Sequence, residues 1–135
     1  MPVQVKVCVP TKQIAQLEVE YVRIPSAQGN MGVLPNHAPL RCLLEPGIVN
    51  CREPGNKTST FAVSTGLAVI ENDVVTVLAD SAERAEDIDV ARAQAARDRA
   101  EERIRTLDAK IDQARAEAAL RRALARIQAS GMVRR

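Results

Sequence analysis

Aromatic residues are nearly missing from this 135-residue chain, which has one Phe, one Tyr and no Trp. A core must therefore be filled by Val, Ile, Leu and Ala, and little is available to stack nucleic-acid bases. Histidine is almost as scarce. His37 stands alone between Pro35 and Pro39, with no Ser, Cys or Asp partner placed by any motif. No Gly-x-Gly-x-x-Gly run and no phosphate-loop pattern is present, so no catalytic constellation is legible and a small sandwich enzyme is disfavoured. The three cysteines, Cys8, Cys42 and Cys51, are odd in number and lack Cys-x-x-Cys spacing. That argues against a paired disulfide framework and against zinc. They read as reduced thiols in a reducing compartment. No window approaches the roughly 20 apolar residues of a membrane span. Met1–Pro10 has one Lys and no long apolar run, so a signal peptide is not expected and the protein reads as soluble or peripheral.

Glycine and proline are also absent between Gly66 and Gly131. Before that gap, turn residues separate short β-branched runs. Val3, Val5, Val7 and Val9 alternate with Gln4, Lys6 and Cys8 in a strand period. Leu17 to Ile24 reads as one strand whose phase slips as at a bulge. Further runs, at Met31–Leu34, Leu40–Leu44, Ile48–Arg52, Thr58–Val63, Leu67–Ile70 and Val74–Ala79, are separated by Pro, Gly, Asn and Asp. This spacing predicts an antiparallel sandwich or barrel.

After residue 80 the chain is rich in Ala, Arg, Glu and Asp. Asp80-Ser81-Ala82-Glu83 reads as a helix start, with Asp87 or Asp89 as a second cap. Ile104, Leu107, Ile111, Ala114 and Ala118 follow a helical spacing, and Leu120, Leu124 and Ile127 a similar one shifted by a residue. The break points to two helices, with a turn at Thr106 to Asp112. The same residues also fit one rod of roughly 40 residues, about 60 Å long. A hairpin interface made mostly of Ala would be shallow, as a two-state element requires. Charge divides with the structure: residues 1–82 carry six basic and seven acidic side chains, and residues 83–135 thirteen and ten. Between 113 and 135, Arg115, Arg121, Arg122, Arg126, Arg134 and Arg135 face only Glu117. Such a basic end fits an acidic partner or a solvated face.

Gly32-Val33-Leu34-Pro35-Asn36-His37-Ala38-Pro39-Leu40 resembles the Gly-x-Leu-Pro-x-His-Ala-Pro motif of the epsilon subunits of F-type ATP synthases. Val74 to Arg84 resembles the last strand and junction of that family, and Ile88-Asp89-Val90-Ala91-Arg92-Ala93 its Ile/Leu-Asp-x-x-Arg-Ala motif. Arg121-Arg122-Ala123-Leu124-Ala125-Arg126 resembles the second helix of chloroplast, cyanobacterial and some bacterial members.

The resemblance implies an α+β chain. Residues 1–86 would form a flattened antiparallel β-sandwich of ten strands that docks to the γ subunit and the c-subunit ring. Residues 87–135 would form a regulatory two-helix hairpin. It implies a non-catalytic rotor subunit of a proton-translocating complex, peripheral on the cytoplasmic face of a bacterial inner membrane or the stromal or cytoplasmic face of a thylakoid. Membrane association would come only through the complex, with no nucleic acid and no required cofactor. The turn Gln28, Gly29, Asn30, Met31 would face the c-ring, with His37 in the same contact set. Members often carry Glu where Asn30 stands, which removes an ion-pair partner. Thr65 replaces a frequent Gly and would stiffen its turn.

The family's hairpin can extend along γ and set a basic helix near an acidic loop of the catalytic β subunits, opposing ATP hydrolysis. Arg115, Arg121, Arg122 and Arg126 match that helix. In some members the folded hairpin binds ATP. The matching positions are Glu83, Ile88, Asp89, Arg92, Ala93, Arg99, Arg122 and Arg126. Arg92 and Arg99 are seven apart and Arg122 and Arg126 four apart, so each pair fits one helix face. Exposed ion pairs such as Arg99 with Glu102 are the other reading of these charges. An Arg-rich nucleic-acid-binding module is the functional alternative, weakened by the scarcity of aromatics.

Overall fold

A computed structural model describes residues 2–106 and 110–133. Ten strands come first: β1 (Val3–Val9), β2 (Lys12–Val19), β3 (Tyr21–Ser26), β4 (Gly29–Val33), β5 (Leu40–Leu44), β6 (Gly47–Arg52), β7 (Thr58–Val63), β8 (Gly66–Glu71), β9 (Val74–Ala79) and β10 (Ala82–Arg84). Two helices follow, α1 (Val90–Thr106) and α2 (Lys110–Val133).

Backbone pairing runs β10-β7-β6-β3-β5-β8-β9-β1-β2, with β4 added to β3. Between β3 and β5 the ladder narrows to one pair, Ser26 with Leu44. There it folds into two layers, which is the expected sandwich. The sandwich is antiparallel except where β1 lies parallel to β9. No hairpin joins those two strands, so no tight turn imposes an antiparallel pairing on them.

The layers close on aliphatic side chains. Val3, Val5, Val7, Val19, Val22, Ile24, Val49, Val75 and Val77 are fully buried, and Phe61 is the largest buried residue. Leu17 to Ile24 is not one bulged strand. β2 ends at Val19, the chain bends at Glu20, and β3 starts at Tyr21. Val19 and Val22 both enter the core. Their spacing of three cannot place both on one face of a continuous pleat, so the chain turns from one layer to the other. Glu20 N–H donates to Arg52 O at 2.8 Å across that corner. The bulge itself lies in the β1–β2 pair, at Val7/Cys8.

Asp80–Glu83 does not start a helix. It leads into β10, which pairs with β7. Ser81 N–H donates to Ser64 Oγ at 2.8 Å, and Ser64 N–H donates to Ser81 O at 3.0 Å. Thr65 Oγ1 donates to Asp80 Oδ2 at 3.3 Å, while Asp80 N–H donates to Thr65 O at 3.0 Å. The polar groups read as a helix cap are thus taken up by the neighbouring strand end. The helix begins later, where Asp89 Oδ1 accepts from Arg92 N–H at 3.1 Å.

α1 ends at Thr106 and α2 begins at Lys110. The turn expected at Thr106 to Asp112 falls on residues 107–109, outside the described residues, as do Leu107, Arg134 and Arg135. The helices pack on each other, and α2 also packs on β6 and β7. Ala93 near the start of α1 shares a cluster with Ala129 near the end of α2, so the pair is antiparallel. The buried positions are Ala93, Ala100, Ala116, Ala123, Ala125 and Ala129, whereas Leu124 is exposed. Of the Leu120/Leu124/Ile127 row, Ile127 packs against the cluster under the hairpin and Leu120 is half-buried, but Leu124 leaves the packed face. Small side chains let the backbones approach closely and turn Leu124 outward.

Candidate regulatory cleft between sandwich and hairpin

The hairpin covers a cleft of about 360 Å³. Its sandwich wall is the paired ends of β7 and β10, with Ala62, Ser64, Ser81 and Glu83. Its helical wall is made by Ala96, Arg99, Ala100 and Arg103 of α1 and by Ala119, Arg122, Ala123 and Arg126 of α2. The alanines bring the walls together, and the arginines reach in from the rim. Arg99 and Arg103 are one turn apart on α1, as are Arg122 and Arg126 on α2.

Arg126 and Glu83 form the tightest contact in the cleft. Arg126 Nε lies 2.8 Å from Glu83 Oε1, and Nη2 lies 3.5 Å from Oε2. The side chains are 23% and 39% exposed. Although Nε is close to the carboxylate, it is buried without an aligned acceptor. A second ion pair lies outside the cleft. Arg121 Nη2 donates to Glu45 Oε2 at 2.5 Å, joining α2 to the β5–β6 turn. Both pairs hold the hairpin to the sandwich.

Of the eight residues assigned to a nucleotide by resemblance, Glu83, Arg99, Arg122 and Arg126 meet in this cleft. The other four lie elsewhere. Ile88 and Ala93 are buried in the alanine cluster under the hairpin, Asp89 caps α1, and Arg92 is exposed on its first turn. Sequence reasoning missed Arg103, Ser64 and Ser81. The spacing of four between Arg99 and Arg103 was a usable signal; the two serines are adjacent only through strand pairing.

Gln28, Gly29 and Asn30 are exposed on the β3–β4 turn, where Gly29 has φ 115°. Ser26 Oγ donates to Gly29 O at 2.5 Å and accepts from Gln28 N–H at 3.3 Å, which holds the turn. Met31 packs against the core. His37 Nδ1 lies 2.7 Å from Ala38 O, a geometry satisfied by the Nδ1–H tautomer. Nearby, Asn36 N–H donates to Asp73 Oδ1 at 2.7 Å, tying this segment to the β8–β9 turn. Arg115, Arg121 and Arg122 are exposed along α2. Among the described residues no three His, Cys, Asp or Glu side chains gather as a metal site needs, and no helix is long and apolar enough to cross a membrane.

Residues 2–85 match the family model of the ATP synthase delta/epsilon chain β-sandwich domain, and residues 86–131 that of its long α-helix domain. The chain belongs to the ATP synthase delta/epsilon family. It is 45% identical over 126 residues to an ATP synthase epsilon chain of Nitratidesulfovibrio vulgaris, covering 93% of both chains. An epsilon chain of Moorella thermoacetica is 45% identical over 128 residues, covering 95% of this chain and 96% of that one. Among solved structures, a chain of the Euglena gracilis mitochondrial ATP synthase (OSCP/F1/c-ring, rotational state 1) superposes with a TM-score of 0.83. That match covers 97% of this chain and 81% of the other at 23% identity, a likeness of fold. Members of this family are non-catalytic subunits of the synthase, and this chain is one. The Arg-rich nucleic-acid module finds no support in these relatives.

Proposed function

We propose that this chain is a rotor subunit of a proton-translocating ATP synthase whose helical hairpin is a detachable brake on ATP hydrolysis. The single observation that carries the reading is how α2 is held. A basic helix rests on the sandwich through alanine packing and two ion pairs, Arg121–Glu45 and Arg126–Glu83. Alanine buries little area and the half-exposed Arg121–Glu45 pair is weak, which leaves the partly buried Arg126–Glu83 pair as the main polar hold to be broken on release. Once released, Arg115, Arg121, Arg122 and Arg126 are free to meet an acidic loop of the catalytic β subunits. A phosphate-bearing ligand such as ATP in the cleft would hold the arm down.

Residues 1–86 are the docking head and residues 87–135 the arm. The head has a face to offer. α2 lies on the layer containing β6 and β7, while the outer side of β5, β8 and β9 carries an apolar row. Leu43 pairs with Leu67, and Leu67 with Leu78. Leu43 is 66% and Leu78 44% exposed. This row fits the γ subunit, and the Gln28–Met31 turn with His37 fits the c-ring or γ. The Euglena assembly comprises OSCP, F1 and the c-ring, and a Tetrahymena thermophila chain of similar fold belongs to a central stalk and c-ring assembly. This chain would then sit peripherally on the cytoplasmic face of a bacterial inner membrane, or the stromal or cytoplasmic face of a thylakoid, held there by the complex.

The decisive experiment compares ATP hydrolysis by the reconstituted complex with and without residues 87–135. Hydrolysis should rise when the arm is removed while assembly with γ is retained. Unchanged hydrolysis would reduce the arm to a static prop.

A further inference from the structure

Residues 34–39 join β4 to β5 without regular secondary structure, yet they are not left loose. Pro35 and Pro39 fix two backbone angles and have no N–H to donate. Asn36, at φ 66°, gives its N–H to Asp73 Oδ1 at 2.7 Å. Asp73 is itself anchored. Asn72 and Asp73 have φ of 52° and 61°, the pair of positive angles that closes a tight β8–β9 hairpin. The Asp73 carbonyl accepts from Gln4 N–H at 2.8 Å, so the carboxylate stands on the paired ends of β1, β8 and β9. The segment it holds turns Leu34 and Leu40 to solvent, 56% and 40% exposed, on either side of His37. With His37 Nδ1–H taken up by Ala38 O, Nε2 is the ring's acceptor. Strand register separates this segment from the Gln28–Met31 turn. That turn adjoins Ser26, Leu44 and Gly66 at one end of the sandwich, while Leu40, Glu71 and Asp73 lie at the other. Leu40 and Leu44 are the two ends of β5, about 13 Å apart along the strand.

We propose that Asp73 is the positioning residue of the Leu34–Leu40 segment, holding it in the shape that docks to γ while the Gln28–Met31 turn meets the c-ring at the opposite end. This deepens the rotor reading and rests on it. Asp73 touches no partner itself. Its carboxylate fixes Asn36, and Asn36 fixes the placing of His37 between the two exposed leucines. The surface so formed fits a partner that offers an N–H or O–H donor to Nε2 between apolar side chains. A segment ordered before contact does not have to be ordered on binding, which lowers the cost of association.

The test titrates the full 135-residue chain against an F1 assembly that contains γ but no c-ring, and separately against the isolated c-ring. Amide hydrogen exchange at Asn36 is followed in the free chain. Asp73→Gly keeps the positive φ available and removes the acceptor. It should speed exchange at Asn36 and weaken binding to the γ assembly about tenfold, the worth of one hydrogen bond to a charged acceptor. Asp73→Asn retains an oxygen at the same place and should restore both. Asn72→Gly loosens the same turn without touching the acceptor and should change neither, which separates positioning from a general effect on the fold. Parent-like affinity in Asp73→Gly would overturn the proposal. So would equal weakening by Asn72→Gly, which would mark turn stiffness as the cause. Failure of Asp73→Asn to restore binding would point to direct use of the negative charge and remove the positioning role. Weakening confined to the c-ring would overturn the assignment to γ. A parent chain that binds neither assembly would sink the rotor reading itself, a result distinct from each of these.

Discussion

Cys51 lies wholly inside the sandwich, between the layers on β6. Burial pushes its thiol from 9.0 up to about 12, with the Glu53 carboxylate adding to the rise. A raised acid holds its proton more tightly in the folded state. Its contribution to stability is full below the unfolded value of 9.0 and is lost as pH climbs towards about 12. Each pH unit in that window corresponds to about 1.4 kcal/mol. Cys51→Val should therefore flatten the loss of stability between pH 9 and about 12, read as the difference in urea midpoints between variant and parent. An identical decline in both proteins would mean that other groups carry the pH dependence. Gly66 is constrained in another way. A Cβ there would stand 2.0 Å from Leu78 O and 2.8 Å from Ala79 Cα, both backbone atoms of the adjoining strand. Gly66→Ala should lower stability by at least about 1–3 kcal/mol, the usual range for overpacking, as read from denaturant unfolding. Unchanged stability would mean that β8 and β9 separate readily at that point.

Among the elements, α2 carries the hairpin's hold on the sandwich, through β6 and β7. Arg121 and Glu45 are about half exposed, so screening by solvent limits their pair to at most about 1 kcal/mol. That is still about a fivefold change in an arm equilibrium. Glu45→Gln should increase the detached population by up to that factor. Spin labels at exposed Lys57 and Gln128 would report it as a new long-distance component. A distance distribution identical to that of the parent protein would remove Arg121–Glu45 as a latch. The α1–α2 seam is held differently. Ala100, Ala116 and Ala123 are nearly fully buried, with at most 2% exposure. Ala123→Leu should overpack the seam by about 1–3 kcal/mol and loosen the hairpin while leaving the sandwich melting transition in place.

On the scale of the whole molecule the sandwich has a core of its own, and a second, smaller cluster joins it to the hairpin. The main cluster consists of sandwich residues from Val3 to Ala79. The smaller cluster under the hairpin joins Ala62, Ala85 and Ile88 to Ala93 and Ala129. Residues 1–86 should therefore fold alone and still bind γ, seen as a strand-type circular dichroism spectrum and a retained pull-down. An unfolded fragment would show that the hairpin is structural. A folded fragment that fails to bind would place the γ surface on the arm.

Much of the fold was legible because it rests on local periodicity. The valine alternation of β1, the turn residues between strands, and the loss of Gly and Pro after Gly66 each act within a few residues. The Asp89 cap could be read for the same reason. Local rules misplaced the helix start at Asp80–Glu83, because Ser64, seventeen residues away, competes for the same polar groups. They also misplaced Leu124 on the packed face of α2, since leucine is the more apolar residue but alanine permits the closer approach. At the cleft, sequence identified Glu83, Arg99, Arg122 and Arg126 but not Arg103 or the two serines. Arg103 and the serines join Arg126 and Glu83 only because β10 pairs with β7 and α2 folds back over both. By itself the sequence determined a β-rich head, a basic helical arm and the family to which they belong. Tertiary structure alone decided which charges meet, because hydrogen-bond and ion-pair partners are set by contacts between residues far apart in the chain.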